Sequence, residues 1–300
     1  MADLSLTGLR VLREVAERGS FTAAARTLGY TQSAVSRQMA ALEAMAGVVI
    51  VERRHRGVTL TAPGARLLVR AARVLDELDA AQAELADPSA GSGPVRLGAF
   101  PAALAGIVPA ALAELPRELV VTAREATTPA LVRALRAGTL DVAVVARTPP
   151  FRPLDAEAPA LELTTLAERE LLVGVGAGHP LAGRRAVEVA DLRGQVWVAS
   201  RSDAGETLLG VWPGLTERPE VRFVVRDWLA KLRIVAAGLA ITTVAPTLSR
   251  ELPAGVRLVA VRGEPVESRR IVLARRPGRL PPGTAAVIDA LRRAVTPDLA

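Results

Sequence analysis

The strongest constraint in this sequence is a change of texture at residues 87–94, Asp-Pro-Ser-Ala-Gly-Ser-Gly-Pro. Such a run breaks a helix and makes a flexible or turn-rich linker. Before it the text is helical. After it, short β-rich runs at 95–98, 120–124, 142–146, 171–174 and 196–199 alternate with Ala/Leu/Arg-rich helical runs at 101–115, 129–137 and 228–237. That alternation predicts an α/β body with mostly parallel strands behind a helical head. No internal repeat recurs at a fixed period. With 300 residues, two folding units agree with the usual domain size of about 150 residues, and 50% hydrophobic residues supply a sizeable core.

Composition removes several chemistries. There is no cysteine, hence no disulfide, no Cys-ligated zinc and no thiol nucleophile. The two histidines, His55 and His179, lie far apart and do not make a metal site. No Gly-x-Ser-x-Gly elbow and no P-loop occurs. The glycine-rich stretch 174–178 runs into His179-Pro180, which reads as a loop, with His179 a turn residue. The amino terminus has no basic segment leading into an apolar one, and the longest apolar stretch, 101–113, is too short to span a bilayer. A cytoplasmic chain with no cofactor, no metal and no membrane contact is expected. The net charge is +7, and of the 38 basic residues only Lys231 is a lysine. Arginine suits phosphate recognition, although a GC-rich genome also enriches it.

Charge is unevenly placed. Residues 18–56 hold six arginines against two glutamates, while 76–87 holds five acids and no base. A basic head next to an acidic helix suggests one surface for a polyanion and another for protein or solvent. In the head, Leu9, Leu12, Val15 and Ala16 mark a first helix, which Gly19 ends. Ser20 or Thr22 caps a short second helix over 23–28, closed by Gly29. Thr31 or Ser33 caps a third over 34–45. Its inner face is Val35, Met39, Leu42 and Met45, and its outer face Gln32, Ser33, Ser36, Arg37 and Gln38. Two short helices around a tight turn, the second with such a face, fit the major groove, where Gln and Arg contact base edges bidentately. A helical hairpin with a solvated face is the alternative. Two β-prone runs, 48–51 and 58–60, flank Arg53, Arg54, His55 and Arg56. Such a basic hairpin beside the third helix is a wing for phosphates or a minor groove, or else a solvated turn.

Residues 20–43, SFTAAARTLGYTQSAVSRQMAALE, with the continuation AGVVIVERRHRGVTLTAPG over 46–64, resemble the amino-terminal domain of LysR-type transcriptional regulators. Two departures are Ile50-Val51 in place of Leu-Phe, and Ala62-Pro63-Gly64 in place of Pro-Ala-Gly. The resemblance implies that Thr22, Thr31, Gln32, Ser33, Ser36, Arg37 and Gln38 meet DNA, with Arg53, Arg54 and Arg56 on the wing. In the unbroken run 62–86, Leu68, Leu75 and Gln82 share one heptad position, and Ala71, Leu78 and Leu85 the other. This fits a short two-stranded coiled coil, or a helix packed on its own body. The resemblance favours dimerisation through Leu68, Ala71, Leu75, Leu78 and Leu85.

The body resembles the LysR-type effector domain over its whole length, through 95–98, Gly138-Thr139-Leu140-Asp141, His179-Pro180-Leu181-Ala182 and VAAGLAITTVAP at 235–246. This implies a periplasmic-binding-protein-like domain of two Rossmann-like subdomains around a ligand cleft. The expected division is 1–61 winged helix-turn-helix, 62–87 linker helix, 88–92 hinge, and 93–300 effector domain. Subdomain I takes 93–163 and 267–300, and subdomain II 164–266. The family's Ser or Thr after the first strand of the body is missing from Ala99-Phe100-Pro101-Ala102-Ala103, which puts the usual anion grip in doubt. Phe100, Pro101, Ala102, Trp197 and Trp228 are candidates for a more apolar cleft, or core residues. Thr127, Thr128, Ser200, Arg201 and Asp227 occupy loops where the family's effector contacts lie. The resemblance thus implies an effector-responsive dimer or tetramer on promoter DNA, with RNA polymerase a further partner. The rivals are a solute-binding protein, which lacks an export signal here, and an enzyme fused to a DNA-binding head, which lacks a catalytic set.

Overall fold

The computed structural model describes residues 4–54, 57–86, 94–147, 160–201, 208–215, 217–225, 227–245, 252–263 and 268–295. The head is built from α1 (Leu6–Arg18), α2 (Phe21–Leu28) and α3 (Gln32–Ala46), followed by the hairpin β1 (Val51–Arg54) and β2 (Gly57–Leu60). Each helix starts where a hydroxyl replaces a missing intrahelical partner: Ser5, Ser20 and Thr31 accept from the backbone N–H three residues on. Each stops at a left-handed glycine, Gly19, Gly29 or Gly47. Leu9, Leu12, Val15, Phe21, Val35, Met39, Leu42 and Ile50 close one core.

The linker helix α4 spans Ala62–Ala86, capped by Thr61, whose Oγ1 accepts from Gly64 N. Gly64 has no room for a side chain, because a Cβ would run into the Ile50 carbonyl oxygen. The expected coiled-coil seam is corrected over the first half of this helix. Leu68, Ala71 and Leu75 are at most 1% exposed inside the head's own core. The 3.5-residue spacing is real, but it serves a tertiary contact in the same chain. Leu78 is half-buried, and the side chain of Leu85 lies outside the described residues.

The first lobe is a five-stranded sheet ordered β4 (Val121–Glu125), β3 (Val95–Ala99), β5 (Val142–Arg147), β14 (Ser268–Arg275), β6 (Glu162–Glu170). It is mixed, not mostly parallel: β3 pairs parallel with β4 and β5, and β14 antiparallel with β5 and β6. Since β6 pairs with β14 over its full length, the expected division at 163/164 moves to the end of β6. Helices α5 (Pro101–Ala105) and α6 (Ile107–Ala113) replace the single helix expected at 101–115, with Gly106 between them. Along with α7 (Thr128–Ala137) and α9 (Pro282–Val295), they cover the sheet.

The second lobe holds one sheet ordered β12 (Thr242–Val244), β7 (Leu172–Gly176), β13 (Val256–Arg262), β8 (Ala186–Glu188), and another ordered β10 (Leu208–Leu209), β9 (Val196–Arg201), β11 (Glu220–Val224). A parallel bridge between Trp197 and Ile241 joins them. Helix α8 (Trp228–Ala236) packs against this joined surface. Among the described residues no helix is long and apolar enough to cross a membrane.

Candidate DNA interface and ligand cleft

The third helix shows the two faces that its spacing predicts. Val35, Met39 and Leu42 are buried, and Met45 is half-buried. Thr31, Gln32, Ser33 and Arg37 are exposed, as is Thr22 on α2, while Ser36 and Gln38 are half-buried. The hydroxyls of Thr31 and Ser33 lie 3.0 Å apart at the helix start. This gathers four donor-bearing side chains on the exposed first turns of α3.

The hairpin is held in fixed register to that helix. The Glu43 carboxylate of α3 accepts from the N–H groups of Ile50 (2.7 Å) and Val51 (3.1 Å). At the other end Val58 N–H donates to the Gly19 carbonyl at 2.9 Å. Arg53 and Arg54 lie on β1, but their side chains, and all of His55 and Arg56, fall outside the described residues. Tyr30 was not singled out from the sequence. It is the chain's one tyrosine and stands 48% exposed in the turn just before the third helix.

The loops at the carboxyl ends of each lobe's parallel strands carry the residues singled out for the cleft. On the first lobe these are the end of β3 and the starts of α5 and α7. Phe100 precedes α5 and packs partly into the first lobe's core, with Pro101 next in the helix. Thr128 Oγ1 donates to the Ala146 carbonyl at 3.1 Å, tying α7 to β5. Thr127 occupies the N-cap position of α7 without a side-chain cap bond. On the second lobe, Ser200 Oγ donates to the Val225 carbonyl at 2.6 Å, and Asp227 caps α8 through Ala230 N–H. Ser200, Thr128 and Asp227 therefore hold the loops in shape. The Arg201 side chain lies outside the described residues.

Trp197 is corrected from cleft to core. It is 0% exposed, sits mid-sheet at the Ile241 bridge, and packs among the second lobe's apolar residues. Trp228 and Ala102, by contrast, are both partly buried against the small cluster of Leu232 and Val244, which sets a first-lobe residue against the second lobe. Beside them lies Lys231, which the sequence reading singled out only as the sole lysine. It is 4% exposed, and its Nζ is 5.9 Å from the Trp228 ring centroid. Burial pushes its ammonium down to about 8 from the ordinary 10.5.

Residues 6–65 match the family model for the bacterial regulatory helix-turn-helix protein, lysR family, and residues 89–296 that for the LysR substrate binding domain. The chain is 33% identical over 292 residues to a probable hydrogen peroxide-inducible genes activator of Mycobacterium avium, covering 92% of this chain and 86% of the relative. A protein of the same description from Mycobacterium xenopi is 39% identical over 197 residues, 62% of this chain and 100% of the relative. Full-length CbnR complexed with its target DNA is similar at 26% identity and a TM-score of 0.51, covering 97% of this chain and 99% of the other. The hydrogen peroxide-bound cysteine-to-serine variant of Corynebacterium glutamicum OxyR is 25% identical with a TM-score of 0.51, covering 98% and 95%. With both of its halves matched in family order, the chain belongs to the LysR family of bacterial helix-turn-helix regulators.

Proposed function

We propose that this chain is a transcriptional regulator that reads a pseudo-palindromic promoter site as a dimer or tetramer and answers to a small molecule held between its two lobes. The observation that carries the reading is the exposed donor face of the third helix, Gln32, Ser33 and Arg37, with the wing fixed beside it by Glu43. Two such helices in a dimer reach two half-sites one helical turn apart or more. The basic wing, Arg53, Arg54 and Arg56, supplies the phosphate contacts that position the head. Its relatives are regulators, and the reading requires no catalysis by the chain. It places the protein with the genome in the cytoplasm, and a change in lobe closure alters DNA bending or contact with RNA polymerase.

The relatives named for hydrogen peroxide raise one point of chemistry. This chain has no cysteine, so it forms neither a sulfenic acid nor a disulfide. Its input is therefore not thiol oxidation.

The test is selection of genomic DNA fragments by the purified protein at stated salt. Enrichment of one palindromic site supports the reading, and binding without sequence preference sinks it. Arg37→Ala and Gln32→Ala each cost about 1–3 kcal/mol of specific affinity if they read bases. Removing a wing arginine weakens binding evenly across sequences and flattens the salt dependence.

A further inference from the structure

Helices α3 and α4 are tied to each other through the peptide groups of one residue, Ile50. Its side chain is fully buried in the head's core. On one side α3 holds its N–H: a single carboxylate oxygen of Glu43 accepts from Ile50 at 2.7 Å and from Val51 at 3.1 Å. On the other side its carbonyl accepts from the Thr61 N–H at 3.0 Å, and the Thr61 hydroxyl stands 3.2 Å from the same oxygen. That hydroxyl also donates to the Val49 carbonyl at 2.7 Å and accepts from the Gly64 N–H at 3.1 Å, inside the first turn of α4. At Gly64 the helix backbone presses on the Ile50 carbonyl, since a Cβ there would run into it. The path Glu43, Ile50, Thr61, Gly64 thus runs from the last turns of α3 into the first turn of α4 without a gap.

Leu68, Ala71 and Leu75 hold α4 against the head, but apolar burial is non-directional and leaves a helix free to turn or slide by small amounts. Hydrogen bonds are directional, so this brace fixes what packing leaves open, the rotation of α3 about the start of α4. The lever is long. Helix α4 has 25 residues, about 37 Å at ~1.5 Å per residue. A turn of about 10° at its start carries its far end roughly 6 Å, close to two base-pair steps of ~3.4 Å. We propose that Glu43 and Thr61 are positioning residues that set the accepted spacing of the two half-sites, by locking the recognition helix at one angle to the linker helix that carries it. Neither residue touches DNA in this role. This rests on the reading of the chain as a DNA-binding dimer or tetramer and names residues that decide which operators it accepts. Glu43 serves as an acceptor, and the amide oxygen of glutamine fills the same place. Alanine there leaves the N–H groups of Ile50 and Val51 without that acceptor, which costs free energy next to a closed core.

The experiment uses the full chain and two sets of DNA probes built from the half-site that the wild type selects. One set holds a single half-site, and the other holds paired half-sites with every spacer across one helical turn. A sharp spacer optimum is expected for wild type, Glu43→Gln and Thr61→Ser. Glu43→Ala and Thr61→Val should cut the preference for the best spacer over its neighbours roughly 10-fold, with single half-site affinity nearly unchanged and thermal unfolding still cooperative. The double variant should be no broader than either single one, because both cut the same path. If Glu43→Ala does not fold, Thr61→Val against Thr61→Ser decides. A spacer optimum as sharp as wild type in the Ala and Val variants overturns the proposal. So does a loss of single half-site affinity in the same proportion, which makes the pair ordinary supports of the head, or a Glu43→Gln profile as broad as that of Glu43→Ala. A wild type that selects a half-site but shows no spacer optimum overturns the brace and leaves the regulatory reading standing. A wild type that selects no sequence sinks both.

Discussion

At the scale of single residues, burying Lys231 has a cost. Its folded value of about 8 lies below the ordinary 10.5, so between those two pH values the unfolded chain binds a proton that the folded chain has given up. Stability therefore rises with pH across that window and is lower below it. Replacing Lys231 by Met removes the penalty. The variant is expected to be more stable than the ligand-free wild type at pH 7 by about 1–3 kcal/mol, and the gap should close as pH approaches 10. Urea unfolding of both proteins at pH 7, 8.5 and 10 checks this, and a gap that stays constant or widens contradicts it. The lysine was visible in the composition as the one non-arginine base, but its burial was not. A lysine in the first turn of a run such as Trp-Leu-Ala-Lys-Leu-Arg reads as solvated, and only the strand ends of β9 and β12 packed over it say otherwise. The outer face of the third helix was legible because side chains spaced 3.6 residues apart must share a side, whatever packs behind them. Trp197 and Trp228 were indistinguishable in sequence, since an aromatic suits a sheet interior and a cleft wall equally well.

At the scale of elements, the linker helix shows how one pattern serves two ends. Leu68, Ala71 and Leu75 recur at the spacing of a two-stranded seam, yet they are spent inside the head. Leu75→Ala is accordingly expected to cost about 2–5 kcal/mol of stability, the price of a cavity in a closed core. It should not selectively dissociate a dimer. Val74, one residue earlier, is 47% exposed and free of that core. If α4 pairs with a partner, Val74→Glu should shift the chain toward monomer at unchanged head stability. Sedimentation alongside thermal unfolding of both variants distinguishes the two roles. Dissociation by Leu75→Ala without loss of stability would return the seam to the buried stripe. Elsewhere the sequence located the head, the linker helix and five strands of the body, β3, β4, β5, β7 and β9, and left the other strands and α9 unread. β14 was unread as a strand, so the antiparallel half of the first sheet was invisible. Gly106, in a run that otherwise reads as one helix, divides α5 from α6.

At the scale of the whole molecule, the head is not a free bead on a linker. Glu17 of α1 is 6% exposed, and its carboxylate pairs with Arg124 of β4 at 2.7 Å. The Glu17 carbonyl accepts from Arg133 of α7 at 3.0 Å. Asp76 of α4 bridges Arg96 (3.2 Å) and Arg276 (2.7 Å), and Arg96 also pairs with Asp141 at 2.7 Å. Burial alone would lower the Arg96 value, yet Asp141 and Asp76 outweigh it and raise it, so this guanidinium stays charged. Head, linker helix and first lobe are thus pinned together at two points. The second lobe, which carries Lys231, is joined to the first where β6 runs into β7 and where β13 leads into β14. On the proposed reading, a change in lobe closure would reach the head through these ties, since the head moves with the first lobe. Signal transfer needs this rigidity, because a loosely tethered head would average the motion away. Arg124→Ala strands the buried Glu17 carboxylate and should loosen α1 from the first lobe. The pair is partly open to water, with Arg124 39% exposed, so the expected loss is about 1–2 kcal/mol. Amide exchange in the last turns of α1 and in α7 should accelerate. Specific DNA affinity should hold, since the donor face of the third helix is untouched, while the change in affinity on adding the effector should shrink. The coupling is a free-energy difference between two states, so it is read as the ratio of DNA affinities with and without effector, in wild type and variant. An unchanged ratio alongside faster exchange would show that the head takes its signal through the partner subunit and not through its own first lobe.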